Sequence, residues 1–321
     1  MARKKLTLHP DIEAMLRASD APPLGSLPPE EMRRSYAEIR RKLQLPPEPI
    51  AAIEPHVIAG SGGDISARLY RGTAQSNAPC LLFLHGGGWV LGNLDSHDGI
   101  CRRIAARTGA CVLAVDYRLA PEHPFPAAVD DSAAALRYLA DHAERLGIDP
   151  ARLAVGGDSA GGNLAAVLAL MGRDGTVPRT MFQLLFYPAT DLRMTSPGYD
   201  RVTEGVLTGD SMRYFVGHYV PDPADRDDWR ASPLLADSVD GVPPAFVLTV
   251  GHDPLLDEGL AYAEHLRQAG VTVTALDMTD QGHGILNPGR AVAASAWIID
   301  FAAAALGDAW RIDLREASHH G

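Results

Sequence analysis

The sequence of 321 residues has no long apolar segment and only three cysteines. No uninterrupted apolar run approaches the roughly 18 residues that a membrane-spanning helix needs, and the N-terminal segment lacks the apolar core of a signal peptide. The cysteines, Cys80, Cys101 and Cys111, form no Cys-x-x-Cys pair, which is typical of buried thiols rather than of disulfides or a metal site. We therefore expect a cytoplasmic protein without a membrane span.

Phosphate-binding and metal-binding motifs are also missing. The chain has no Gly-x-Gly-x-x-Gly, and its lysines (Lys4, Lys5 and Lys42) lie in no Gly-Lys-Ser/Thr motif, which excludes a P-loop. Neither a His-Glu-x-x-His motif nor a Cys/His cluster indicates a metal. A formal net charge of −11 argues against nucleic acid or an anionic membrane as a partner. The sequence therefore indicates no metal and no phosphate-bearing cofactor.

The sequence does contain a regular alternation of apolar strand-like runs with helical patterns, such as "CLLFL", "CVLAV" and "AFVLTV". Such alternation predicts an α/β fold with a mostly parallel central sheet and helices on both faces. One segment, Thr190 to Asp240, departs from this alternation, and together with the N-terminal helices it predicts a helical cap over the sheet. The predicted division is 1–50 for N-terminal cap helices, 51–189 for the first part of the core, 190–230 for a cap insertion and 231–321 for the second part.

The segment "VGGDSAGGN" combines four glycines with one serine between a predicted strand and a predicted helix. Gly157-x-Ser159-x-Gly161 fits the nucleophile elbow, a turn so tight that neighbouring side chains would clash. The serine hydroxyl would project above the sheet at the N-terminus of the next helix, where free N–H groups favour negative charge. We therefore predict that Ser159 is a nucleophile.

A serine nucleophile needs a base and an orienting carboxylate. His283 stands in the Gly-flanked segment "DQGHGIL" after a predicted strand, and Asp253 directly follows the strand "AFVLTVG". Both positions lie at the carboxyl ends of strands, where α/β sheets assemble their sites. Asp257 fits less well because it lies one helical turn further along, and Asp253 could instead simply cap that helix. His252 would place the base before the acid, against the expected order.

The segment "LFLHGGGWV" ends a predicted strand in three consecutive glycines. In this type of fold, a glycine-rich loop and the residue after the nucleophile supply the N–H groups of the oxyanion hole. The predicted donors are therefore Gly87, Gly88 and Ala160. His85 is expected to hold this loop in place rather than to bind a ligand.

Five motifs in order, "HGGGW", "DYRLAPEHPFPAA", "GDSAGGN", "DPLLDEG" and "HG", resemble the bacterial hormone-sensitive-lipase-like carboxylesterases of the α/β-hydrolase fold, in their GDSAG subgroup. The resemblance spans about residues 85–284. It implies an α/β-hydrolase core, a helical cap, no cofactor, and Asp253 as the acid. The chain departs from the family pattern at the polar segment "TDQG", at Ile285 and at His252.

The resemblance implies hydrolysis of small-molecule esters with short- to medium-chain acyl groups. Trp89, beside the glycine loop, and the cap residues Leu207 and Phe215 are candidates for the acyl pocket, although the last two would serve equally as cap core. An amidase or lactonase could use the same triad, and a non-catalytic small-molecule binder on this fold is a further alternative. A homodimer through an edge strand is compatible with the pattern.

Overall fold

The computed structural model describes residues 7–311, which contain one sheet of eight strands. The strands are β1 Ala52–Gly60, β2 Gly63–Arg71, β3 Ala78–Leu84, β4 Cys111–Val115, β5 Ile148–Asp158, β6 Phe182–Phe186, β7 Ala245–His252 and β8 Val273–Gly282. Their order across the sheet is β1-β2-β4-β3-β5-β6-β7-β8. Only the pairings of β2 with β1 and β4 are antiparallel; β3 to β8 run parallel. The predicted mostly parallel sheet is confirmed.

Ten helices accompany the sheet in the described part of the chain. They are α1 Pro10–Arg17, α2 Pro29–Leu43, α3 Asp98–Thr108, α4 Ala127–Asp141, α5 Ala143–Leu146, α6 Ala160–Arg173, α7 Gly198–Arg201, α8 Gly209–Tyr219, α9 Leu256–Gln268 and α10 Ala294–Ala309. None of them combines the length and apolar content that crossing a bilayer requires.

Two apolar clusters hold the helices against opposite faces of the sheet. Side chains alternate along a strand, so in β3 Leu82 and Leu84 join one cluster while Leu81 and Phe83 join the other. The first cluster contains side chains of α4, α6 and α9, and the second contains those of α3 and α10. This three-layer arrangement is the one that alternating buried strands and helices predict.

The long connection between β6 and β7 carries α7 and α8 and contacts the N-terminal segment. The Tyr214 hydroxyl of α8 donates a hydrogen bond to the carbonyl oxygen of Leu27 (3.0 Å). Met32 and Tyr36 of α2 are buried in the same apolar cluster as Met212 and Phe215 of α8. The N-terminal helices and the insertion therefore pack beside each other.

The structure differs from the sequence expectations at several element boundaries. The helical pattern of residues 126–146 predicts one helix, but the helix is interrupted at His142, whose backbone leaves the helical conformation and whose ring Nδ1 lies 3.1 Å from the carbonyl oxygen of Tyr138. The segment "VTVTALDM" predicts a strand that ends at Met278, but the strand continues to Gly282. Its polar residues stay in the strand because β7 provides a pairing partner as far as His252.

Candidate active site

Ser159 lies between β5 and α6 in a strained backbone conformation, with φ 58° and ψ −116°. Its N–H donates to the carbonyl oxygen of Phe186 on the neighbouring strand (2.9 Å). A Cβ atom on Gly157 or Gly161 would overlap the carbonyl oxygen of Leu84. The glycines around the serine are therefore required by the close approach of β3, as the elbow motif predicts.

Ser159, His283 and Asp253 form a continuous hydrogen-bonded chain. His283 Nε2 lies 2.9 Å from Ser159 Oγ, and His283 Nδ1 lies 2.7 Å from Asp253 Oδ2. Asp253 is fully buried and His283 nearly so. This is the arrangement in which a histidine can accept a serine proton while a carboxylate holds its ring.

The pairing of β7 with β8 places the acid beside the base. His252 is opposite Gly282 in the register of the two strands, so the next residues, Asp253 and His283, leave the sheet side by side. Asp253 Oδ1 also accepts the N–H of Leu255 (2.8 Å), the residue before α9. This hydrogen bond holds the turn that leads into the helix, and α9 itself has no side-chain cap.

The loop after β3 brings two backbone N–H groups to the serine. Gly87, Gly88 and Ser159 line one cavity, and within residues 7–311 no protein group accepts a hydrogen bond from the N–H of Gly87 or Gly88. Gly88 has φ +61°, and a Cβ atom there would overlap the ring of Phe215. Ala160 is the first residue of α6, so its N–H has no partner within the helix.

Asp158, which sequence reasoning did not single out, fixes this loop. Its Oδ1 accepts the N–H of Gly86 (2.8 Å) and lies 3.2 Å from His97 Nε2. Burial alone would raise the pKa of Asp158, but the neighbouring His97, the charge of Arg40 and the Gly86 N–H hold that pKa below its ordinary value. A buried carboxylate thereby ties the loop to the residue before the nucleophile. The motif "GDSAG" contains Asp158, but the spacing of residues in the sequence does not identify Gly86 or His97 as its partners.

His85 supports the same loop from the side. Its ring stacks on Tyr117 with centroids 4.3 Å apart, and its Nδ1 lies 2.9 Å from the carbonyl oxygen of Gly86. Burial, followed by the nearby His97, lowers the pKa of His85 to about 3. A neutral, stacked imidazole fits the supporting role expected for His85.

The cavity at Ser159 has a volume of about 30 Å³. Leu207, Met212 and Phe215 of the insertion form its apolar wall. Trp89 lies outside this lining, because its ring is buried against Tyr219 in a parallel stack with centroids 4.4 Å apart. Of the three residues expected in the pocket, Leu207 and Phe215 therefore line the cavity and Trp89 packs behind it.

A second cavity of about 230 Å³ adjoins the first on the side of His283. It lies between α1, α2 and the segment after His283, and its lining is mostly apolar. The two cavities share six lining residues: Leu24, Tyr36, Arg40, Val206, His283 and Gly284. A larger cavity of about 720 Å³ beside β1 and α4 contains none of the three hydrogen-bonded residues.

Two further buried side chains anchor the insertion to the core. Asn163 of α6 donates through Nδ2 to the carbonyl oxygens of Ala189 (2.9 Å) and Ala231 (2.8 Å), at the two ends of the insertion. Glu258 of α9 accepts the N–H of Thr190 (2.7 Å) and the hydroxyl of Tyr199 (2.7 Å). Sequence reasoning missed both, because only the folded chain brings these partners together.

Known proteins resemble this chain over most of its length. A family model described as alpha/beta hydrolase fold matches residues 81–287. Carboxylesterase NlhH of Mycobacterium tuberculosis is 40% identical over 297 residues, covering 90% of this chain and 93% of that protein. Ethyl acetate hydrolase of Pseudomonas putida is 38% identical over 302 residues, covering 89% and 94% respectively.

Solved structures give the same result. An ester hydrolase from the metagenome of Lake Arreo has a TM-score of 0.91 at 41% identity and covers 95% of this chain and 100% of its own. A hyperthermophilic esterase from Pyrobaculum calidifontis has a TM-score of 0.89 at 38% identity and covers 94% and 99%. The likeness therefore extends to the cap region as well as to the sheet.

Proposed function

The chain belongs to the alpha/beta hydrolase fold family and is a carboxylic ester hydrolase, and from this premise we propose that Ser159, His283 and Asp253 are its catalytic triad. We further propose that it prefers short- to medium-chain acyl esters. The observation that carries the first proposal is the hydrogen-bonded chain from Ser159 Oγ through His283 to Asp253.

In the proposed reaction His283 Nε2 takes the proton of Ser159 as Oγ attacks the ester carbonyl carbon. The N–H groups of Gly87, Gly88 and Ala160 donate to the oxyanion of the tetrahedral intermediate, and each such donor contributes about 2.7–4 kcal/mol in comparable enzymes. His283 then gives its proton to the leaving alkoxide. Water, deprotonated by His283, attacks the acyl-enzyme and releases the carboxylic acid and the free serine.

Asp253 acts through His283 rather than on the substrate. Its Oδ2 accepts the Nδ1–H of the ring and so keeps Nε2 free to act as the base. It also stabilises the imidazolium that forms when the serine proton is transferred. Because Oδ1 is held by the N–H of Leu255, the carboxylate cannot rotate away from the ring without losing a buried hydrogen bond.

The size of the cavity at Ser159 supports the preference for short acyl groups. The cavity is only about 30 Å³, so each additional methylene of an acyl chain would press against Leu207, Met212 or Phe215. Medium chains would require these cap side chains to change rotamer. The printed name of one relative, ethyl acetate hydrolase, agrees with a small acyl group.

We also propose that residues 1–50 and 190–230 form the cap and that 51–189 and 231–321 form the core. The contact between Tyr214 and Leu27 supports a shared cap for the parts that the structure describes; residues 1–6 and 312–321 lie outside them. A homodimer and a cytoplasmic location remain predictions from the sequence.

The test is hydrolysis of 4-nitrophenyl esters from acetate to palmitate by the wild type and by Ser159→Ala, His283→Ala and Asp253→Asn. We expect Ser159→Ala and His283→Ala to lower kcat by about 10⁴-fold or more, with a smaller loss for Asp253→Asn. Ser66→Ala, on the exposed side of β2, is the matched serine control and should retain full activity.

Activity that survives Ser159→Ala would refute the triad, and an optimum at long acyl chains would refute the size preference. A wild type without turnover on any ester would favour the non-catalytic binder. Faster cleavage of matched anilides or lactones than of esters would instead identify an amidase or lactonase.

A further inference from the structure

Arg40 of α2 lies at the border of the two cavities next to the triad. It lines both of them, and among residues 7–311 it is the only lysine or arginine in either lining. Its Nη2 would be 3.6 Å from a Cβ atom on Gly284, the residue after His283. The guanidinium is therefore adjacent to the backbone that carries the proposed base.

Arg40 has no carboxylate partner among residues 7–311, unlike three other cations of α2. Arg33 pairs with Glu122 (2.6 Å), Arg34 with Glu30 (2.7 Å) and Lys42 with Glu38 (2.7 Å). Arg41, which likewise has no ion pair within this range, is exposed, whereas Arg40 is half-buried and its buried Nε has no hydrogen-bond acceptor. Buried polar groups are normally satisfied, so a guanidinium at the edge of a cavity whose donors no described protein group accepts points to an acceptor on a ligand.

Arg40 forms no ion pair with the described groups around it. The guanidinium carbon lies 4.5 Å above the ring of Tyr36, which orients the group without neutralising it. Asp158 is the one carboxylate among the described lining residues of the two cavities. The charge of Arg40 contributes to lowering the pKa of Asp158, but Asp158 Oδ1 is held by the Gly86 N–H and His97 instead. Among the described residues, the lining of the 230 Å³ cavity contains no acidic side chain.

The proposed reaction determines which part of an ester reaches Arg40. The leaving oxygen takes its proton from His283, so the alcohol part departs on the side of that residue. The cavity on this side is lined by His283, Gly284 and Arg40 but not by Ser159 or the glycine loop. The acyl part, by contrast, occupies the small cavity that Gly87, Gly88 and Ser159 line.

Building on the proposed function, we propose that Arg40 binds a carboxylate on the alcohol part of the substrate. The substrate class is then the O-acyl hydroxycarboxylic acids with a short acyl group. Hydrolysis consumes one water and yields the free hydroxy acid and the short carboxylic acid. Arg40 is a binding and specificity residue here, because the planar guanidinium can donate two parallel hydrogen bonds to a carboxylate.

The experiment compares 4-acetoxybutyrate with 4-acetoxybutanamide, its neutral analogue, by release of acetate. We expect the wild type to favour the carboxylate. Arg40→Gln should lower kcat/KM for 4-acetoxybutyrate about tenfold or more, equivalent to about 1.4 kcal/mol, and should change the value for the amide less than about threefold. Arg40→Lys should retain part of the preference, because the charge stays while the bidentate geometry is lost.

Arg41→Gln is the matched control, since Arg41 is the neighbouring, exposed arginine of the same helix, and it should leave both rates unchanged. Monoethyl succinate, which carries its carboxylate on the acyl part, should be insensitive to Arg40→Gln.

Each other outcome overturns the proposal. Equal losses on the acid and the amide would mean that Arg40 supports only the structure of the cap. A selective loss on monoethyl succinate would place the carboxylate on the acyl side. Normal cleavage of 4-nitrophenyl acetate with no preference for 4-acetoxybutyrate would refute the role of Arg40 but leave the esterase intact, whereas absence of both activities would refute the proposed function as well.

Discussion

The residues around the nucleophile are constrained by backbone contacts rather than by side-chain packing. Ser159 has a positive φ, which costs an L-residue on the order of 1–3 kcal/mol. The closeness of Leu84 to Gly157 and Gly161 keeps β3 and the start of α6 together and so maintains that conformation. A substitution that adds even one methyl group at Gly157 or Gly161 should therefore lower both the free energy of unfolding and kcat.

Gly161→Ala tests this at the scale of one methyl group. The added Cβ would overlap the Leu84 carbonyl oxygen, so we expect a loss of several kcal/mol of unfolding free energy, typical of overpacking, and a fall in kcat. Urea denaturation and 4-nitrophenyl acetate hydrolysis measure the two effects. Gly217→Ala is the control, since a Cβ there has open space and should stabilise α8 by about 0.5–1 kcal/mol. Similar behaviour of the two variants would contradict the argument.

The motifs predicted which residues would be near the nucleophile but not how those residues are held. The positions of Ser159, Asp253 and His283 followed from the ends of predicted strands. Asp158 and Asn163 stand in the same quoted motif, yet their roles depend on partners more than 20 residues away. Hydrogen bonds over such distances in sequence leave no local pattern, so only the fold identifies them.

At the scale of elements, the pairing of β7 with β8 decides more of the site than any loop. The polar "TDQG" segment departs from the family pattern, but the strand continues through it because backbone pairing does not depend on side-chain polarity. Sequence periodicity reports which faces are buried, and it therefore placed the strand end too early. The register of His252 with Gly282 is what a sequence cannot specify.

Helix α8 of the insertion forms part of the wall of the cavity at Ser159, the proposed acyl site. Phe215 lines the small cavity and lies so close to Gly88 that a Cβ atom there would meet its ring. We expect Phe215→Ala to enlarge the cavity and move the optimum of 4-nitrophenyl ester hydrolysis to longer acyl chains. Kinetics across the acyl series measures this shift, with Phe215→Leu as a milder variant because loss of a buried phenyl ring costs about 3–5 kcal/mol.

A half-exposed phenylalanine on α10, Phe301, is the matched control. Phe301→Ala should leave the acyl optimum unchanged. An unchanged optimum in Phe215→Ala would show instead that the ring supports the glycine loop and does not limit the acyl chain.

At the scale of the whole molecule, Glu258 links the stability of the protein to pH. Burial raises the pKa of Glu258 to about 8, although Tyr199 and the N–H groups of Thr190 and Asp191 oppose the shift. The folded state therefore binds this proton at pH values where the unfolded state, with an ordinary glutamate pKa, has released it. Stability from this group is complete at low pH and decreases as the pH rises from about 4.5 to 8.

Glu258→Gln should remove this dependence, because an uncharged amide can accept from Thr190 and Asp191 at any pH. The buried His85, with its pKa lowered to about 3, contributes the same residual slope to both proteins just above pH 6.5 and therefore cancels in their comparison. We expect the wild type to lose about 1–2 kcal/mol between pH 6.5 and 8 and the variant to lose less. Urea denaturation at both pH values measures this.

Glu264→Gln, on the exposed side of the same helix, should follow the wild type. A parallel decline of Glu258→Gln and the wild type would mean that Glu258 is ionised throughout this range.

Fold class was predictable because the burial pattern repeats along the whole chain. Eight strands with helices between them admit few arrangements, since parallel connections are right-handed and short. Volumes of cavities and the contacts between α2 and α8 were beyond prediction, because they depend on how side chains from distant segments fit together. The same limit applies to Arg40, whose position in a helix gives no sign of the cavity that it borders.

The spacing and length of the strands determine where the three residues of the hydrogen-bonded chain lie. Ser159, Asp253 and His283 directly follow β5, β7 and β8, and neighbouring strands lie about 4.8 Å apart, so the strands set where the backbone of each of these residues leaves the sheet. A substitution within a strand leaves the strand spacing unchanged. A one-residue deletion within β7 or β8, by contrast, would shift Asp253 or His283 along the sheet relative to the other two residues. The protein should therefore tolerate variation in composition along these strands far better than variation in their length.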